Sequence, residues 1–172
     1  MAEFQVKHIG MSGTRHGMTD AQQRSLVERA SQGHVLGHHG CCVGADEQFH
    51  WILFELGLSC IGHPPTDQKL AMKILDDTPE NLALAFQELR DPRPYLDRNE
   101  DIVNETSELW AFPYQTQHNE PDSRTGGTWY TIRYALNTGK PVKIIWPDGS
   151  TENVHIQRRE LGDQGSDTGG PS

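Results

Sequence analysis

The order in which apolar runs, glycine-rich loops and helical patterns follow one another constrains this 172-residue chain more than any single motif does. Val6 to Gly10 reads as a short buried strand opening into the turn-rich segment Met11-Ser12-Gly13-Thr14-Arg15. Thr19 is an expected helix N-cap, with Gln22 completing a capping box, and that helix stops near Gly33. A second strand, His34 to Gly37, leads into a second loop, His38-His39-Gly40-Cys41-Cys42-Val43-Gly44-Ala45-Asp46. From Asp46 a helix carries Phe49, Ile52, Leu53 and Leu56 on one face and ends at Gly57. Leu58 to Gly62 is a third strand.

Helical periodicity continues over 67–75, 80–89 and 96–106, and Glu108 to Phe112 is a fourth strand. A polar loop, Pro113 to Thr125, precedes Gly126-Gly127-Thr128 and a helix that ends at Gly139. Pro141 to Trp146 is a fifth strand, and Pro147-Asp148-Gly149-Ser150 turns into a short hairpin strand near 154–156. Strands alternating with helices require an α/β architecture: a doubly wound, mainly parallel sheet of about five strands, helices on both faces, and a C-terminal hairpin strand. One domain is expected over 1–160, followed by a disordered tail over 161–172. Such sheets bind ligands beyond the C-terminal ends of their strands, where strand order reverses. Three loops rich in Gly, Ser and Thr fall in that position.

Composition removes several function classes. Lys plus Arg number 15 and Asp plus Glu 24, a formal charge of −9 that repels phosphate backbones and disfavours long nucleic acid. The apolar run Trp51 to Leu58 is interrupted by Glu55 and is too short to cross a bilayer. The first seven residues lack a signal-peptide pattern, so a cytoplasmic protein is expected. Three cysteines, two of them adjacent, do not make a disulfide framework.

The strongest local signal is Ser123-Arg124-Thr125-Gly126-Gly127-Thr128 opening a helix. The two glycines let backbone approach an anion, and the helix N-terminus favours phosphate. Arg124 would add a charge-assisted contact, and Ser12-Gly13-Thr14-Arg15 carries the same chemistry at a neighbouring strand end. Arg98 and Asn99, in the helix before the fourth strand, are placed to reach a phosphate or ribose from across the crevice. Trp110 and Trp146 are expected in the core, and of Trp129 and Tyr130 one is expected to point inward. His38, His39, Cys41, Cys42 and His50 supply enough donors for a metal. They lack Cys-x-x-Cys or His-Glu-x-x-His spacing, and adjacent residues do not readily face one ion. No metal and no cofactor is therefore expected, and these loop histidines are expected to touch ligand or solvent.

In this order, Gly10 to Arg15, Gly40 to Asp46, Arg98-Asn99 and Thr125-Gly126-Gly127-Thr128 followed by Ile132 to Leu136 and Gly139 to Val142 resemble the SLOG superfamily. That Rossmann-like group includes the DNA-processing DprA proteins and the LOG phosphoribohydrolases. The resemblance spans Val6 to Trp146 and implies a nucleotide-type ligand. Its phosphate would lie at Gly126-Gly127-Thr128, with base or sugar near the Ser12 loop and Arg98. Ser12, Gly13, Thr14, Arg15, Gly40, Gly44, Asp46, Arg98, Asn99, Arg124, Thr125, Gly126, Gly127 and Thr128 are the candidate binding residues. The hydrolase branch is similar in having a helix Arg, matched by Arg98, and a Gly-Gly-x-Gly-Thr-x-x-Glu loop whose glutamate is here Thr131. The acidic residue before the helix Arg is altered to Asp97. Glycosidic cleavage needs a carboxylate, so Asp46, Glu47 and Asp101 join Arg98 as catalytic candidates for an N-glycosidase. The first reading is a sensor, carrier or sequestering protein for a nucleotide-derived molecule. DprA-like binding of single-stranded DNA, through a patch from Lys69, Arg90, Arg93 and Arg98, is a further alternative. Relatives in the superfamily pair through helices, so a homodimer or higher homo-oligomer is a further expectation.

Overall fold

The computed structural model describes residues 5–156, so the tail expected over 161–172 lies outside the described residues. Among these residues seven strands form one sheet: β1 (Lys7–Gly13), β2 (Val35–His39), β3 (Ser59–Gly62), β4 (Glu88–Leu89), β5 (Glu108–Phe112), β6 (Val142–Ile145) and β7 (Thr151–Val154). Their order is β4-β3-β2-β1-β5-β6-β7, parallel except for the antiparallel hairpin β6–β7. Five α-helices connect them: α1 (Asp20–Ala30), α2 (Ala45–Glu55), α3 (Pro79–Ala85), α4 (Tyr95–Asn104) and α5 (Gly127–Asn137). The chain therefore runs outward from β1 through β4, then returns to the far side of β1 for β5. The switch point lies between β1 and β5, where Gly13 pairs with Phe112 and the Thr14 N–H donates to the Phe112 carbonyl at 3.2 Å.

Apolar residues on both faces of the central strands follow from this burial. On one face Ile9, Met11, Phe112 and Ile145 pack with Leu26 of α1 and Phe49 and Leu53 of α2. On the other, Leu109, Ala111, Val142 and Ile144 pack with Trp129, Ile132 and Ala135 of α5 and Val103 of α4. Trp110 and Trp146 are buried as expected, and of the α5 pair Trp129 is the inward one. A small third cluster joins Cys41, Met72 and Phe86.

Three expectations are corrected. Residues 67–75 form two single 3₁₀ turns, Gln68–Leu70 and Lys73–Asp76, in place of a helix. Between them, Ala71 is drawn into an isolated bridge with Cys42, and the Met72 N–H bonds the Cys41 carbonyl at 2.9 Å. The helix expected over 80–89 stops at Ala85, and Glu88–Leu89 becomes an edge strand beside Ile61–Gly62. His38 and His39 lie inside β2, fully buried, and do not touch solvent. Extending the strand by two residues buries their rings on its two faces.

Thr19 and Gln22 do form the capping box. The buried Gln22 amide then donates to the carbonyls of Ile145 at 2.8 Å and Pro113 at 3.2 Å, tying α1 to the ends of β6 and β5. Gln22→Ala leaves both carbonyls short of a donor. It is expected to lower unfolding free energy by about 2 kcal/mol, read from the midpoint of urea denaturation, whereas an exposed neighbour such as Arg24→Ala should leave it unmoved.

Candidate functional site

Beyond the switch point the structure forms a two-level crevice. The outer cleft encloses about 340 Å³ and is lined by Gly13, Thr14, Arg15, His16, Tyr95, Tyr114, Gln115, Thr125, Gly126, Gly127 and Thr128. Below it lies a nearly filled notch of about 20 Å³ against Ser12, Gly40, Cys42, Asp46, Arg98 and Asn99.

The outer cleft is built around the start of α5. Gly126 caps the helix with φ +91°, which L side chains rarely adopt, and it has no side chain with which to satisfy the first-turn N–H groups. A Cβ on Gly127 would overlap the Tyr95 hydroxyl, so the helix start and Tyr95 touch only because that position is bare. Arg15 is exposed, with its guanidinium 5.3 Å from the centre of the Tyr95 ring. Exposed helix-start amides beside a cation make a site for an anion.

Arg98 holds the inner notch closed. Its Nη1 donates to the carbonyls of Gly40 and, at 3.3 Å, His63; its Nη2 meets Cys42 Sγ at 3.1 Å. A Cβ on Gly40 would occupy the space the guanidinium fills. Tyr95 covers it from above, ring centre 5.1 Å away. Asp46 lies 3.9 Å from Nη1 and accepts from the Cys42 N–H at 3.1 Å. Burial pushes the Asp46 carboxyl above the usual range, while Arg98 pulls it back down.

The structure thus gathers Ser12, Gly13, Thr14, Arg15, Gly40, Asp46, Arg98, Asn99 and Thr125 to Thr128 at one crevice on two levels. It places others elsewhere. Arg124 stacks on Trp129 and Trp146, 5.2 and 5.5 Å from their ring centres. Gly44 and Glu47 line a separate groove beside Trp51. Asp101 pairs with Arg93 at 2.5–2.6 Å. Thr131, which stands where the hydrolase pattern has glutamate, is buried and returns its hydroxyl to the Gly127 carbonyl at 2.8 Å. Tyr95 is a central residue that the motifs did not reveal. Its i,i+3 spacing from Arg98 was the available signal, since it puts both on one face of α4.

No family model matches the sequence, and neither does any curated protein. Solved structures do. A molybdenum cofactor binding protein from Rippkaea orientalis superposes with TM-score 0.58 at 15% identity, covering 83% of this chain and 77% of that one. The molybdenum cofactor carrier protein of Chlamydomonas reinhardtii gives 0.57 at 15% identity, over 81% and 76%. DNA processing protein A (DprA) of Streptococcus pneumoniae gives 0.59 at 12% identity, over 81% of this chain and 50% of that one. The chain shares the Rossmann-like α/β fold of these proteins. At these identities the likeness concerns architecture, and in a doubly wound sheet of this kind the crevice at the β1–β5 switch point is where a ligand site is expected.

Behind this crevice, the Cys41 N–H donates to His39 Nδ1 at 3.1 Å, so His39 carries its proton on Nε2 and donates to His50 Nδ1, 2.9 Å away. His50 then holds its own proton on a buried Nε2 that has no partner among the described residues.

Two predictions follow from these partnerships. Arg98→Met removes the cation from a buried carboxylate and three acceptors. It should cost about 3 kcal/mol in urea unfolding with no ligand present; an unchanged midpoint would mean the fold does not need the guanidinium. Burial also lowers the His50 pKa from 6.5 to about 4. The unfolded chain therefore takes up this proton first, and the stability from the neutral ring, full above pH 6.5, is lost as pH falls toward 4. In His50→Gln the slope of unfolding free energy against pH over this window should flatten by up to about 1.4 kcal/mol per pH unit, measured by denaturant melts at pH 7, 6 and 5.

Proposed function

We propose that the protein binds a small phosphate-bearing molecule, nucleotide or nucleotide-derived, and holds it without cleaving it, as a carrier, sensor or sequestering protein does. The observation that carries this reading is the glycine-capped start of α5 opening onto a cleft that also contains Arg15, Thr14 and Thr128. A phosphate seated there would accept from first-turn amides and from Arg15. His16 and Tyr114, ring centres 4.7 Å apart, offer aromatic surface at the mouth for a base or ring system. Two of the structural neighbours are described as binding or carrying molybdenum cofactor, which agrees with a small-molecule cargo.

Retention without hydrolysis is favoured by the occupants of the catalytic positions. Thr131 replaces the expected glutamate, Asp101 is paired with Arg93, and Glu47 faces another groove. Asp46 is engaged below the cleft by the Cys42 N–H. Three of the four members of the cationic patch in the DNA reading are engaged as well, with Lys69 left exposed. Arg90 is bonded to Glu88 and Glu105, Arg93 to Asp101, and Arg98 is buried. Among the described residues no helix is long and apolar enough to cross a membrane.

Mass spectrometry of compounds released on denaturing cell-purified protein should yield a phosphate-bearing small molecule. AMP titrated into labelled protein should shift the amides of residues 13–15 and 126–128. Arg15→Gln should weaken that binding about tenfold, the loss of one charge-assisted bond. Shifts confined to other regions would overturn the reading. Release of free adenine would replace it with an N-glycosidase, and tight, salt-sensitive oligonucleotide binding would replace it with a DNA-binding protein.

A further inference from the structure

The two adjacent histidines of β2 point to opposite faces of the sheet, as strand alternation requires. His39 joins His50 and Cys60 in a sealed cluster on the α2 side. His38 lies on the α4 side. In the parallel register Gly10 and Ile61 flank His38, so His8 and His63, each two residues away, share its face. The three rings make a diagonal row across β1, β2 and the end of β3. His8 Nδ1 lies 2.9 Å from His38 Nε2, and His38 Nδ1 lies 3.0 Å from His63 Nε2. Glu105, the C-cap of α4, reaches over this row. Its Oε2 is 3.8 Å from His38 Nδ1 and 3.8 Å from His63 Nε2.

These three atoms form an isosceles triangle, with sides of 3.0, 3.8 and 3.8 Å, whose size carries chemical meaning. The point in their plane equidistant from them lies about 2.1 Å from each, and an ion a few tenths of an ångström above that plane keeps the ordinary length of zinc–imidazole and zinc–carboxylate bonds while opening a fourth side. We propose that His38, His63 and Glu105 form a three-ligand site for a divalent transition metal, zinc(II) fitting best, with a fourth position left for water. Two imidazoles and a carboxylate are a donor set suited to such ions and poorly suited to magnesium or calcium, which prefer oxygen alone.

Two neighbours bear on the site in opposite directions. His8 faces the second nitrogen of His38, supplying the outer hydrogen bond that fixes the tautomer of a metal-bound imidazole. Arg90 donates to the same Glu105 oxygen from Nε at 3.1 Å and Nη2 at 2.9 Å. It steadies the carboxylate and also brings a positive charge beside the ion, which limits affinity. The side chain of Glu105 is 35% exposed, so this face is reachable by ions from solvent. The His39–His50–Cys60 group is wholly buried and has no such access.

Occupation would clamp β2, β3 and the end of α4 together. Tyr95 and Arg98 stand at the other end of the same helix, and the His63 carbonyl accepts from Arg98. The ion would therefore brace the crevice from beneath without entering it.

The test uses the full chain stripped with chelator, loaded with Zn²⁺, desalted and assayed by elemental mass spectrometry, with Co²⁺ as an optical probe. One Zn²⁺ per chain is expected, weakened at least tenfold by Glu105→Gln and strengthened by Arg90→Gln. The Co²⁺ form should show visible ligand-field bands and no thiolate charge-transfer band. Because Glu105 is half-exposed, Glu105→Gln should remain folded by circular dichroism; if it does not, the cobalt spectrum of the unaltered chain decides. No retained zinc, zinc retained equally by Glu105→Gln, or a thiolate band overturns the proposal, the last by assigning the ion to the cysteine-containing cluster.

Discussion

The crevice depends on one buried cation. Arg98 holds the carbonyls at the ends of β2 and β3, meets the Cys42 sulfur and faces Asp46 at the start of α2. Three separate stretches of chain thus converge on one planar fork of donors, a geometry that a lysine ammonium does not reproduce. The same guanidinium forms the floor on which Tyr95 rests, and Tyr95 in turn touches the start of α5. Displacing Arg98 would therefore disturb the outer cleft indirectly, through two layers of packing.

This arrangement reconciles an acidic protein with the anionic ligand proposed for it. At a net charge of −9 the surface repels polyanions. The attraction in the cleft comes from oriented backbone amides at a helix start and from the nearby guanidinium of Arg15. Such a field falls off within about one helical turn, so it favours a compact anion over an extended one. The cationic side chains Arg90 and Arg93 are consumed by local carboxylates and add nothing to it.

Much of the architecture was legible because its signals are local. Thr19 and Gln22 announce a helix start, and the apolar run at 108–112 reads directly as a strand. Gly126, at φ +91°, marks the cleft because its backbone requirement is written into residue type, whereas Gly127 is required by the approach of Tyr95. What stayed hidden depends on distant partners. The two-residue strand β4 exists only because Ile61 and Gly62 lie beside it. The 67–75 segment has helical spacing, but Cys41 and Cys42 capture its middle. Arg124 belongs by sequence to the phosphate loop, yet two tryptophans from α5 and the end of β6 draw its side chain away. His38 and His39 resemble loop residues because imidazole is polar, and only the neighbouring strands supply the ring partners that make their burial tolerable.

That last pair also determines how β2 can be threaded into the sheet. A strand of purely apolar residues tolerates a one-residue slip, since its two sides are chemically alike. Here a slip would carry His38 under α2 and His39 under α4, and each imidazole would arrive among neighbours arranged for the other. Two side-by-side histidines thus work as a key with unlike edges, barring β2 from entering between β1 and β3 one residue out of step.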